Sequence, residues 1–195
     1  MRRFGIAILF TIFGCAAASA QVVALGDSFT KGYDLPESEA WPAKLEALLR
    51  QHGVNVSVAN QGVNGDTSDG MLSRLDSAIP NGTRVVIFSC CGNDNKDPKH
   101  IVADHGGNIR TIVSRLRARG IAVVYIGEHT KGQAKEPGPD IARSAGASWC
   151  EWEFDGVPPE DINDSRAGKH PNPEGHDKVA ARVLPCVTRA LGRKG

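Results

Sequence analysis

The sequence predicts a three-layer α/β/α sandwich built around a parallel sheet. Short apolar runs alternate with helical patterns along the chain, the arrangement in which helices cover both faces of a parallel sheet. Three of the runs are almost continuous in Val, Ile and other apolar residues: "VVAL" (22–25), "RVVIFS" (84–89) and "IAVVYI" (121–126). Such runs suit strands buried on both faces. The length, 195 residues, is enough for one domain with a substantial core.

Taken in order, the first strand is 22–25. The segment "WPAKLEALLRQHG" follows, with Pro42 near its start and Gly53 at its end, and reads as a helix. The second strand is placed at "VNVSVA" (54–59). "TSDGMLSRLDSAI" has apolar residues at three- and four-residue spacing and reads as one helix over 67–79. The third strand, 84–89, leads to a helix over "NIRTIVSRLRARG" (108–120). The fourth strand, 121–126, and a fifth, "ASWCEWEF" (147–154), come next. The last helix is expected from about Pro173 to Leu191, because Asn172 is a good N-cap and Pro173 a good first helical residue.

Composition narrows the function. The chain is 41% hydrophobic and 23% charged, an ordinary balance for a soluble globular domain. Residues 1–20 stand apart. A basic head (Arg2, Arg3), an apolar run and "ASA" at 18–20 read as a secretory signal peptide, with residues 21–195 as the mature domain in the periplasm or outside the cell. Lipid attachment at Cys15 is the rival, and Phe13 fits it badly. Losing the leader takes away two arginines and no acid, so the net charge moves from +1 to about −1. With no basic patch, nucleic acid is not an expected partner, and past the leader no stretch is long and apolar enough to span a membrane. A monomer is expected. In an oxidising compartment Cys150 and Cys186 are the first pair to expect among Cys90, Cys91, Cys150 and Cys186. Burial as small apolar side chains explains all four equally well.

In open α/β sheets ligands bind beyond the carboxyl ends of the strands. After the first strand comes "GDSFT" (26–30), where Ser28 can expose a hydroxyl and a backbone N–H at one point; a helix cap or plain turn explains the same letters. After the second comes "NQGVNGDTS" (60–68), where a glycine can present a bare N–H; a turn followed by a Thr67 or Ser68 cap competes. After the third comes "CCGNDNKD" (90–97), where Asn93 offers a side-chain N–H, and a Gly-Asn-Asp turn needs no function. Near the C-terminus "AGKHPN" fixes His170 in a rigid turn before a helix. Each signal alone favours the plain explanation. Together they are the parts of a serine hydrolase: nucleophile, base and oxyanion donors.

The set "GDSFT", "NQGVNGDTS", "GND" and "HPNPEG", in that order across the mature chain, resembles the SGNH hydrolases, also called GDSL esterases and lipases. It is particularly similar to the small periplasmic thioesterase, arylesterase and lysophospholipase members. The resemblance implies a flavodoxin-like, five-stranded parallel sheet. It implies Ser28 as nucleophile and His170 as base. It implies an oxyanion hole made by the N–H of Ser28, the N–H of Gly65 and the amide of Asn93. It implies no cofactor and no metal. The sequence departs from the family in one place. The usual aspartate three residues before the histidine is Ala167, and the nearest preceding acids are Asp164 and Asp161. Either Asp164 reaches the ring from a differently shaped loop, or a backbone carbonyl holds it and leaves a dyad. Inactivity ranks last.

The expected reaction is cleavage of a small-molecule carboxylic ester or thioester through an acyl-enzyme on Ser28. A cell-envelope glycan O-acyl esterase or acyltransferase, and a non-catalytic binding module on the same fold, are the alternatives. Phe29 and Tyr33 could line an acyl pocket or belong to the core. The polar loop "GEHTKGQAKEPGPD" (127–140) points toward short-chain, aryl or sugar-linked esters, although a solvated surface loop would look the same.

Overall fold

A computed structural model describes residues 21–94, 102–127, 138–152, 154–165 and 168–192. Five strands form one parallel sheet: β1 (Val22–Gly26), β2 (Val58–Gly62), β3 (Val85–Phe88), β4 (Ala122–Gly127) and β5 (Ser148–Trp152). Their order across the sheet is β2-β1-β3-β4-β5. The chain steps from β1 outward to β2 and then back past β1 to β3. That reversal opens a crevice beyond the carboxyl ends of β1 and β3, the place where flavodoxin-like sheets bind ligands.

Helices cover both faces, as the alternation predicts. On one face α2 (Trp41–Gln51) and α7 (Pro173–Gly192) pack against Val22, Ala24, Val85, Ile87, Val124 and Ile126. On the other, α3 (Ser68–Ser73), α4 (Leu75–Ala78), α5 (His105–Ala118) and α6 (Gly138–Ser144) cover Val23, Leu25, Val86, Phe88, Val123 and Tyr125. β1 is buried at all five positions, so alternate side chains feed opposite cores, as its apolar run requires. Two smaller elements lie near the site: α1 (Ser28–Lys31) and an antiparallel hairpin of β6 (Ile162–Ser165) and β7 (Gly168–Pro171).

Three of the expected elements differ in start or continuity, and α6, β6 and β7 have no counterpart among the expected elements. β2 starts at Val58 rather than Val54 and runs on through Gly62. Its register is set by β1, with Val22 opposite Val58 and Gly26 opposite Gly62. Val54 and Val56 are apolar because they pack into the α2–α7 core, not because they pair. The helix expected over 67–79 is broken at Arg74, which closes α3 and opens α4 with φ −98° and ψ 5°. Helix α5 begins earlier than "NIRT", because Asp104 caps it by accepting the Gly107 N–H at 2.8 Å.

The last helix begins where the Asn172-Pro173 signal places it. Asn172 Oδ1 accepts the Gly175 N–H at 2.9 Å. Cys150 and Cys186 form the expected disulfide, tying β5 to α7. The adjacent pair Cys90–Cys91 is also bonded, a pairing the sequence did not suggest. The proposed leader, residues 1–20, lies outside the described residues. Among the described residues no helix is long and apolar enough to cross a membrane.

Candidate active site

Asp27 and Ser28 follow β1 directly. Asp27 is the N-cap of α1, and its Oδ1 accepts the Phe29 N–H at 3.0 Å. The cap turns the chain sharply, so Ser28 becomes the first helical residue and faces the crevice. Close approach depends on Gly62: a Cβ there would lie 2.1 Å from the Lys31 nitrogen, so α1 rests directly on the end of β2.

His170 arrives from the far end of the chain. It lies on β7, opposite Asn163 of β6, just before the Asn172 cap. Its Nε2 is 2.9 Å from Ser28 Oγ. Both residues are buried, at 7% exposure for Ser28 and 4% for His170. Two rings flank the imidazole: Tyr33 stacks at a centroid distance of 4.9 Å and Phe29 lies tilted at 4.7 Å. Phe29 in turn meets Phe154 edge-on at 4.8 Å. Their position against His170 was not legible in the sequence.

The candidate oxyanion donors come from the ends of β2 and β3. Gly65 has φ +73°, and a Cβ there would meet nothing within 4 Å. Glycine is therefore favoured at this position by the backbone angle rather than by crowding. Asn93 Nδ2 donates to Asp27 Oδ2 at 2.6 Å and to the Asp66 carbonyl at 3.1 Å. Asn93 thus reaches both other segments: Asp27 adjoins Ser28, and Asp66 adjoins Gly65. Its neighbour Asp94 is fully buried and accepts two bonds from Ser68, from N–H and Oγ–H, each at 2.7 Å.

The acids near His170 divide. Asp161 is committed elsewhere. Its carboxylate pairs with Lys178 and its carbonyl accepts the Asn172 N–H at 2.8 Å. Asp164 stands on β6 opposite Lys169, but its side chain, like the whole of Ala167, lies outside the described residues. Below the site His176 is buried, and its Nδ1 accepts the Trp41 N–H at 3.0 Å. Burial above all, then the positive charges of Lys44 and His170, lowers its pKa to about 4 against an opposing pull from Asp177. His176 is thus a neutral acceptor that joins α7 to the start of α2. Among the described residues no group of three or more His, Cys, Asp or Glu is arranged to hold a metal ion.

A 2-1-3-4-5 parallel sheet with a buried serine–histidine pair at its switch point defines the class. The chain belongs to the GDSL-like Lipase/Acylhydrolase family, whose pattern residues 24–178 match. It is 29% identical over 130 residues to an arylesterase of Vibrio mimicus, covering 65% of this chain and 63% of that protein. It is 30% identical over 112 residues to esterase TesA of Pseudomonas aeruginosa, covering 57% and 55%. The matched stretches thus span less than two thirds of either relative. The crystal structure of TesA shares the fold with a TM-score of 0.74, at 22% identity over 87% of this chain and 99% of that one. AlinE4, an SGNH-hydrolase family esterase, matches with a TM-score of 0.62 at 27% identity, covering 88% and 96%.

Proposed function

We propose that the protein is a serine ester hydrolase. The observation that carries this is the 2.9 Å contact between Ser28 Oγ and His170 Nε2, at the switch point of the sheet. With its proton on Nδ1, the imidazole accepts the Ser28 proton through Nε2 as Oγ attacks the acyl carbonyl. The carbonyl electrons move onto oxygen. That oxyanion is met by the N–H of Ser28, the N–H of Gly65 and the amide of Asn93. The Asn93 hydrogen that faces the Asp66 carbonyl at 3.1 Å is shared between that carbonyl and the oxyanion. His170 then passes its proton to the leaving alkoxide or thiolate, leaving an ester on Ser28. Water, deprotonated by His170, repeats the sequence and releases the acid.

The ring needs an orienting group at Nδ1 for this tautomer to persist. We assign that role to Asp164. Asp164 is the nearest acid preceding His170 in the chain, one position along β6 from Asn163, which stands opposite His170. Stacking by Tyr33 and Phe29 limits ring rotation in addition.

Small-molecule carboxylic esters and thioesters are the substrate class, in line with the arylesterase and esterase names of the relatives. Export fits the two disulfides, which persist in oxidising compartments. Residues 1–20 then act as the leader, and the exported chain begins at Gln21. A panel of p-nitrophenyl esters and acyl thioesters of rising chain length tests the activity. Turnover in the wild type and loss of turnover in Ser28→Ala, with an unchanged circular dichroism spectrum, is expected. A folded wild type inert toward the whole panel contradicts it.

A further inference from the structure

We propose that Arg74 is a positioning residue that fixes the oxyanion donors, an inference that rests on Gly65 and Asn93 having that role. The guanidinium sits where the segments leaving β1 and β2 converge. Its Nε donates to Asp66 Oδ2 at 2.8 Å, and Nη2 lies 2.7 Å from the same oxygen. Nη2 also donates to the Gln61 carbonyl at 2.9 Å and to the Gly26 carbonyl at 3.2 Å. Gly26 stands two residues before Ser28. Gln61 is the penultimate residue of β2. Asp66 follows Gly65, and its own carbonyl accepts the Asn93 amide at 3.1 Å. One side chain therefore spans the segments that carry Ser28 and Gly65, and reaches Asn93 through Asp66.

The setting is unlike a surface ion pair. The side chains are 21% exposed for Arg74 and 9% for Asp66, so solvent screens them weakly. Asp66 lies so close to the next turn that a Cβ on Gly70 would sit 2.0 Å from Oδ1. Arg74 occupies a core-facing position of its helical stretch, beside Met71, Leu75 and Ala78, which are all buried. A cation there needs acceptors, and it finds them at the ends of strands. A planar fork can hold several acceptors at once, which an ammonium cannot do in the same geometry.

Electrostatics adds a second reason. Asp27 and Asp66 are two carboxylates around Asn93, and both oppose negative charge developing on the substrate oxygen. Arg74 offsets the Asp66 charge at contact distance. It also stops the carboxylate from turning toward the hole or competing for the Asn93 amide. Loss of Arg74 is therefore expected to act on the transition state more than on substrate binding.

Steady-state hydrolysis of p-nitrophenyl acetate by Arg74→Ala, Arg74→Lys, Asn93→Ala and the two double variants tests this. For Arg74→Ala, kcat is expected to fall by about 30- to 100-fold with KM within about threefold. For Asn93→Ala the fall is about 10²–10³-fold. Each double variant is expected to lose clearly less than the product of its two single losses, because much of the arginine's effect passes through the amide. Should Arg74→Ala not fold, Arg74→Lys is read in the same way, with about a tenfold loss in kcat that is clearly smaller in the Asn93→Ala background. Losses that multiply in the doubles, or effects confined to KM or to melting temperature, overturn the proposal and leave the oxyanion assignment standing. A normal kcat in Asn93→Ala removes the oxyanion assignment itself, and this proposal with it.

Discussion

Asp27 Oδ2 holds the side-chain amide of Asn93 at 2.6 Å, while Oδ1 of the same carboxylate caps the helix that begins at Ser28. A single side chain thus aims a candidate oxyanion donor and sets the turn that presents the candidate nucleophile. The aspartate of "GDS" and the asparagine of "GND" are separated by more than sixty residues of chain, yet they form one unit across the ends of β1 and β3.

Asp27→Asn keeps the cap shape but puts an amide where a carboxylate accepted. We expect kcat to fall by about one to two orders of magnitude with a small change in KM, since a misaimed Asn93 weakens a transition-state contact. The kcat and KM of the variant on one ester check this. A change in KM alone would detach Asn93 from the transition state.

Asp164→Asn is expected to lower kcat by up to about 10⁴-fold, the scale of a lost orienting acid in a serine–histidine–aspartate site. Asp161→Asn is expected to leave kcat near the wild-type value, because that carboxylate pairs with Lys178. Parallel kinetics on the two variants check both. An unaffected Asp164→Asn would assign the ring to a backbone carbonyl and make the pair a dyad.

The general plan of this site was legible in the sequence, because strand ends are marked by breaks in apolar runs. Ser28, Gly65, Asn93 and His170 each follow such a break or precede a helix cap, and the sheet order brings them to one crevice. What joins them was harder to read. Asp27 and Asn93 make a long-range pair that neither neighbourhood announces. Arg74 left one trace, a cation on a face otherwise made of Met71, Leu75 and Ala78. The stacking of Tyr33 on His170 depends on the path of α1, a helix of four residues with no measurable periodicity. β2 was displaced for a related reason: Val54 and Val56 carry the apolar signal of core packing without strand pairing.

His176 gives a pH dependence of stability with a definite sign. Its folded pKa of about 4 lies below the ordinary 6.5. Above pH 6.5 the ring is neutral folded and unfolded alike, and contributes no slope. Between 6.5 and 4 only the unfolded chain takes up the proton, so stability falls as pH falls, by about 1.4 kcal/mol per unit at most. Below 4 the slope disappears. Urea unfolding at pH 7 and pH 5 is expected to show a smaller difference in His176→Gln than in the wild type. Equal differences would mean that His176 titrates normally in the folded protein.

The Cys150–Cys186 bridge closes a loop of 36 residues. Replacing both cysteines by alanine is expected to lower unfolding free energy by about 2–4 kcal/mol, chiefly through the unfolded chain. Ester hydrolysis at 25 °C is expected to persist, because neither cysteine lies among the residues around Ser28. Denaturant titration and one activity assay check the pair of outcomes.

The most direct measurement of the central claim is the intact mass of the protein after treatment with a fluorophosphonate, followed by peptide mapping. One adduct per chain on Ser28 is predicted, absent in Ser28→Ala and formed far more slowly in His170→Ala. A wild-type protein that hydrolyses esters but carries no adduct, or carries it on another residue, would contradict Ser28 as the nucleophile.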